Sequence, residues 1–79
     1  MIKLVIAEAE APTSKDNAHT VGNSSGVRAV NTSRRHHQVF VNDLQITLPP
    51  SESIVLKKSI SDKVYASSKD VLIAGVSIY

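Results

Sequence analysis

The residues best suited to chemistry stand side by side in Arg34-Arg35-His36-His37. Guanidinium groups bind phosphate and carboxylate through paired hydrogen bonds, and imidazoles bind transition metals. Adjacent side chains on a strand point to opposite faces, so His36 and His37 are poorly placed to share one metal ion. We favour a solvated hairpin end for this cluster, ahead of a contact with an acidic neighbouring chain. Nucleic-acid binding and metal binding remain open as weaker interpretations.

A hydrolytic site would need a serine, a histidine and a carboxylate brought together beside oxyanion donors. The seven acidic residues are scattered along the chain, mostly at predicted strand ends. There is no Gly-rich phosphate loop, and the absence of cysteine removes thiolate metal sites and disulfides together. The sequence therefore predicts a protein that is not an enzyme and needs no cofactor.

The small size of the chain limits its core. A domain of 79 residues buries only about 60% of the surface that its unfolded chain exposes. Natural proteins below roughly 70–80 residues commonly gain stability from disulfides, metals or oligomeric partners. Because disulfides are excluded here, we expect contact with other chains to supply the additional stability. The net charge of +2, with acids and bases interspersed, argues against nucleic acid as the partner.

Neither apolar end of the chain has the length of a targeting or membrane segment. Only four apolar residues, 4–7, lie between Lys3 and Glu8, fewer than the apolar stretch of about 7–15 residues in a secretory signal. The run at 71–79 is shorter than the roughly 20 residues of a membrane helix. We expect a soluble protein that is made in the cytoplasm and does not enter a membrane.

Apolar residues alternate with polar ones over several short segments, which is typical of β-strands. Valine, isoleucine and threonine make up 21 of the 79 residues, and β-branched side chains favour strands. Residues 2–8 predict a strand whose buried face carries Ile2, Leu4 and Ile6. Further strands are predicted at 27–30, 37–41, 44–48, 54–56, 64–66 and 71–79, with a hairpin turn at Asn42-Asp43. The predicted fold is all-β: a small two-sheet β-sandwich of six or seven short, mainly antiparallel strands in a single domain, 1–79.

The segment 9–26 differs in character, because it is polar and its apolar residues are few. It is predicted to be an extended arm or long loop, and we favour an arm that becomes ordered against a neighbouring chain. Strand edges are a second route to such contacts, and 2–8 and 71–79 are the candidate edge strands. Predicted partner-binding residues are Pro12, Lys15, Asn17, His19, Arg34, Arg35 and Tyr79.

From residue 27 onward the chain resembles small virion structural proteins of tailed bacteriophages, particularly cyanophages. The similarity lies in 27–33 (VRAVNTS), 46–58 (ITLPPSESIVLKK), 62–68 (DKVYASS) and 71–79 (VLIAGVSIY). Pro50 stands where related chains often have glycine. The resemblance implies a short β-sandwich that decorates a capsid or joins parts of the head and tail, and is present in many copies.

Three functional hypotheses follow. The first is a virion structural protein, a capsid decoration (cement) or head–tail connector subunit that binds other virion proteins and its own copies. The second is a small inhibitory or regulatory module of phage type that acts on a host protein. The third is a basic nucleic-acid binder, whose affinity would fall steeply with salt. We favour the first, with the virion as the location.

Overall fold

The chain folds into two antiparallel β-sheets packed face to face, so the predicted all-β, two-sheet fold is confirmed. A computed structural model describes residues 2–42 and 44–78. The strands within these ranges are β1 (Ile2–Glu10), β2 (Gly26–Asn31), β3 (His37–Val41), β4 (Leu44–Leu48), β5 (Ser53–Lys57), β6 (Val64–Ala66) and β7 (Val71–Ile78). A 3-10 turn spans Lys15–Asn17. The predicted turn at Asn42-Asp43 is described only at Asn42, which has a φ of 47°; Asp43 lies outside the described residues.

One sheet has four strands in the order β1-β7-β2-β5, and the other has three in the order β4-β3-β6. All pairings between these strands are antiparallel. The core between the sheets is built from small aliphatic side chains: Ala11, Val21, Val27, Ala29, Val39, Leu48, Val64, Ala66, Val71 and Ile73. The largest fully buried side chains are valines and Asn31. The core therefore contains little bulk, as the composition predicts.

Strand β7 lies inside the four-stranded sheet, between β1 and β2. Val71, Ile73, Ala74 and Val76 are all buried, although consecutive residues point to opposite faces. A strand that is apolar on both faces suits the interior of a sheet, where both faces and both edges are covered. The prediction that 71–79 is an edge strand is therefore wrong, whereas β1 is at an edge.

The connection between β1 and β2 covers the outer edge of β6. Residues 9 and 10 of the predicted arm continue β1 instead. The Ala66 N–H donates to the Pro12 carbonyl at 2.8 Å, and the Val64 N–H donates to the His19 carbonyl at 2.8 Å. Strand β3 pairs with β6 along its other edge, so these bonds give the N–H groups of the outer edge their hydrogen-bond acceptors. The connection thus lies along its own domain.

Two small apolar side chains hold this connection in place. Ala11 and Val21 are 4% and 1% exposed and belong to the core. The favoured expectation of an arm that becomes ordered only against a neighbouring chain is therefore wrong, because these two side chains anchor the segment to its own domain near its two ends. Deleting 9–25 would remove part of the core, so such a deletion is expected to unfold the domain.

Candidate assembly surface

The predicted basic residues Arg34 and Arg35 are exposed on the loop between β2 and β3, whose shape is set by Asn31. Asn31 is fully buried. Its Nδ2 donates to the carbonyl oxygens of Arg35 at 2.7 Å and of Leu48 at 2.9 Å. Its Oδ1 accepts from the Ser33 N–H at 2.9 Å and from the Ser33 hydroxyl at 2.8 Å. The buried amide of Asn31 therefore helps to fix the loop that presents the two arginines, together with the Ser33 hydroxyl. Sequence analysis ended the predicted strand at residue 30 and gave Asn31 no role.

The two neighbouring histidines lie in different surroundings. His36 is exposed, whereas His37 is partly buried at the start of β3, with its Nδ1 3.3 Å from the Ser67 hydroxyl. In the described part of the chain, no three His, Cys, Asp or Glu side chains form a group suited to a metal ion.

The other predicted partner-binding residues lie on the connection that covers β6. Lys15 and Asn17 are exposed in the 3-10 turn, and Pro12 is partly buried beside β6. His19 is exposed, and its Nδ1 accepts from the Val21 N–H at 3.2 Å. Tyr79 lies outside the described residues. These residues and the two arginines thus stand on separate loops.

A polar depression of about 540 Å³ lies beside Lys15. Its rim also includes Lys63 and Asp16, so charges of both signs surround it. The ring of Tyr65, which forms part of the wall, stacks on Phe40 with centroids 4.5 Å apart. Mixed charge around an aromatic ring is typical of a polar contact surface and does not select one class of ligand.

Ser24 stands in a G-x-S-x-G pattern at residues 22–26, the spacing of a hydrolase nucleophile. The prediction of a non-enzymatic protein assumed that no serine has this setting, and that assumption is wrong. In hydrolases this motif forms a strand-to-helix turn that exposes the serine hydroxyl. Here Ser24 is only 2% exposed, its hydroxyl donates to the Gly26 carbonyl at 2.8 Å, and the chain continues into strand β2. The hydroxyl therefore stabilises the entry to β2.

Strand β1 lies at the edge of its sheet, as predicted, but sequence analysis missed the exposure of its apolar side chains. Leu4, Val5 and Ile6 are 63%, 48% and 43% exposed; we call these three side chains the β1 surface. The predicted buried face is wrong at Leu4 and Ile6, because β1 is an end strand and bulges between 4 and 6 and between 6 and 9 disturb its alternation. Three consecutive large apolar residues were the available signal, since such a run puts apolar groups on both faces.

Charged residues accompany the β1 surface along the same strand. Glu8 forms an ion pair of 3.5 Å with Arg28 of β2, and both side chains are substantially exposed. Lys3 and Glu10 are exposed as well. Charges and bulges on an edge strand discourage indiscriminate pairing with other chains. A partner of β1 must therefore match a specific, partly irregular edge.

The opposite end of the four-stranded sheet borders an apolar cleft. The cleft has a volume of about 220 Å³ and opens between β4 and β5, which are end strands of the two sheets. Leu44, at its mouth, is 76% exposed. The residues that line it are Val39, Val41, Asn42, Leu44, Ile46, Leu56, Lys57 and Asp62. The sandwich is thus covered along β6 and open along β4 and β5.

A buried lysine lies next in sequence to this cleft. Lys58 is 8% exposed, and its Nζ donates to the Ser59 carbonyl at 3.1 Å. Burial lowers the pKa of Lys58, and the carboxylate of Asp62 partly opposes that change by favouring the charged form. The Lys58 amine thus has a hydrogen-bond acceptor, and its bond to the Ser59 carbonyl stabilises the turn that carries Asp62.

Comparison with solved structures gives a distant likeness. The chain is similar to the cupin domain of Cnp3 from Schizosaccharomyces pombe, with a TM-score of 0.35 and 9% identity; the match covers 95% of this chain but only 46% of that chain. No protein-family model matches the sequence, and no curated protein matches it. In the described residues, no helix has the length and apolar character needed to cross a membrane.

Proposed function

We propose that this protein is a non-enzymatic structural subunit that binds neighbouring chains through the β1 surface. The observation that supports this most strongly is the exposure of Leu4, Val5 and Ile6 on the end strand of a sheet. Unpaired, apolar strand edges attract other chains. A neighbouring chain that covers β1 would remove these side chains from water.

The size of the core supports the same proposal. Its fully buried side chains are no larger than valine and asparagine, apart from the nearly buried Leu48 and Ile73. A small core of this kind contributes limited hydrophobic stabilisation. Burial of the β1 surface by a partner would add to it, since binding to the folded state raises apparent stability.

We also propose that the assembly is a virion, in which the chain serves as a capsid decoration (cement) or head–tail connector subunit. This part depends on the resemblance of 27–33, 46–58, 62–68 and 71–79 to virion proteins of tailed phages. The partners would be capsid or connector chains and further copies of this chain. An inhibitory module acting on a host protein is the alternative, and it would use the same surface.

The role of the β1 surface can be tested by replacing Leu4 with lysine. Removing one buried leucine costs about 1.5–3 kcal/mol, so Leu4→Lys should weaken self-association and binding to purified particles roughly 10- to 100-fold. Sedimentation velocity and co-sedimentation with particles measure the two effects. Ile60→Lys is the matched control, because Ile60 is 62% exposed, close to Leu4, but lies outside β1. Equal losses in both variants would contradict the proposal.

Copy number separates the virion proposal from the alternative. Quantitative mass spectrometry of purified particles should find many copies of this chain per particle if it is a decoration or connector subunit. A protein that inhibits a host enzyme would be abundant in infected cells and missing from particles. The second result would remove the virion role and leave the β1 surface to bind a host protein.

A further inference from the structure

The two end strands of the four-stranded sheet lie on opposite sides of the molecule and run in opposite directions. The order is β1-β7-β2-β5, and each neighbouring pair is antiparallel. Because the number of strands is even, β1 and β5 are antiparallel to each other. A second copy placed beside the first in the same orientation would therefore bring its β1 antiparallel to β5 of the first copy.

The rows of paired residues show which side chains such a contact would bring together. Ile6 pairs with Gly75, Gly75 with Val27, and Val27 with Leu56, so these residues form one row across the sheet. Continuing this row into a second copy places Ile6 of that copy next to Leu56. Leu56 lines the apolar cleft, so the added isoleucine would lie at its opening.

The cleft has room for this side chain. A cavity of about 150 Å³ accommodates a benzene-sized group, and the cleft measures about 220 Å³. Its wall is mostly aliphatic, from Val39, Ile46 and Leu56 among others. The neighbouring row, on the outer face of the sheet, consists of Leu4, Val76, Gly26 and Lys57. In the same register, Leu4 of the second copy would lie beside Lys57 of the first copy and cover the aliphatic part of its side chain.

We infer that copies of this chain join head to tail, with β1 of one copy added to β5 of the next and its apolar side chains at the cleft. This inference depends on the proposed function and names the partner of the β1 surface. The interface is heterologous, since two different surfaces meet. Repetition gives a ring where the rotation closes and a filament where it does not. A two-fold β1–β1 pairing would leave the cleft empty in both copies.

Single-cysteine variants can distinguish these arrangements, because the chain has no cysteine of its own. Lys3→Cys and Lys57→Cys place one thiol on β1 and one on β5, at exposed positions, and leave Leu4, Val5 and Ile6 intact. A short bismaleimide should cross-link an equimolar mixture of the two at least tenfold faster than either variant alone. Lys69→Cys, which is exposed outside the strands, replaces Lys57→Cys in the control mixture and should give no enhancement.

Three other outcomes would overturn the inference, and each shows whether the proposed function fails with it. Cross-linking of Lys3→Cys with itself would show a two-fold β1 contact, which leaves β1 as the binding surface but excludes the head-to-tail arrangement. No cross-linking, together with Leu4-dependent binding to particles, would show that β1 binds a different chain. No cross-linking and no Leu4-dependent binding would overturn both.

Discussion

Replacing Asn31 with aspartate is expected to lower the free energy of unfolding by about 2–4 kcal/mol. The two side chains have nearly the same shape, but an ionised aspartate has no hydrogen to donate. The carbonyl oxygens of Arg35 and Leu48, which accept from Nδ2 at 2.7 and 2.9 Å, would lose their donor and face a buried negative charge. A domain of this length is stable by roughly 4–12 kcal/mol, so the loss would be a large fraction of the total.

Urea denaturation measures this loss, and an unchanged m-value would show that the variant still unfolds as one unit. Hydrogen exchange should also become faster around the loop that carries Arg34 and Arg35, since Asn31 bonds to Ser33 and Arg35 within it. Asn17→Asp is the matched control: it changes the net charge equally, but Asn17 is exposed, so its effect should stay within about 0.5 kcal/mol. Equal stability of the two variants would show that the buried amide is not required.

Replacing Gly75 with alanine is expected to destabilise the fold by about 1–3 kcal/mol. A Cβ at this position would lie 2.5 Å from the Val21 carbonyl oxygen and 2.7 Å from Cγ2 of Ile6. The Val21 carbonyl belongs to backbone that is fixed by a buried side chain, so it cannot move away without disturbing the core. The connection between β1 and β2 would therefore be displaced from β7.

Gly26→Ala provides the comparison for this variant. Its Cβ would lie 2.5 Å from Cδ1 of Ile78, the end of a partly buried side chain that can change rotamer, and 3.1 Å from the Leu56 carbonyl oxygen, so the closest backbone contact is looser than the 2.5 Å at Gly75. We expect no more than half the loss seen for Gly75→Ala. Urea denaturation gives both values, and limited proteolysis should cut residues 11–25 faster only in Gly75→Ala. Equal losses, with no change in proteolysis, would contradict the close approach of the connection to β7.

Strand positions were predictable because alternation is a local property of the sequence. The segments at 37–41, 44–48 and 64–66 lie where the period-two pattern placed them. The connection 11–25 was harder to predict, because two short apolar side chains far apart in sequence hold it. Of the residues predicted to bind partners, the structure places Arg34 and Arg35 on a loop held by Asn31, and the role of Asn31 depends on a carbonyl 17 residues away at Leu48.

The sequence by itself determined that this is a small β protein with limited core material, because both properties follow from local pattern and composition. Only the tertiary structure decided which strands are at the edges, since that depends on the pairing of distant segments. Leu4 and Ile6 were assigned to a buried face by alternation, yet they are exposed because β1 pairs on one side only. Gly75 needs its lack of a side chain because Val21, Ser24 and Ile6 pack against it. Both features depend on contacts between residues remote in sequence, which no local pattern records.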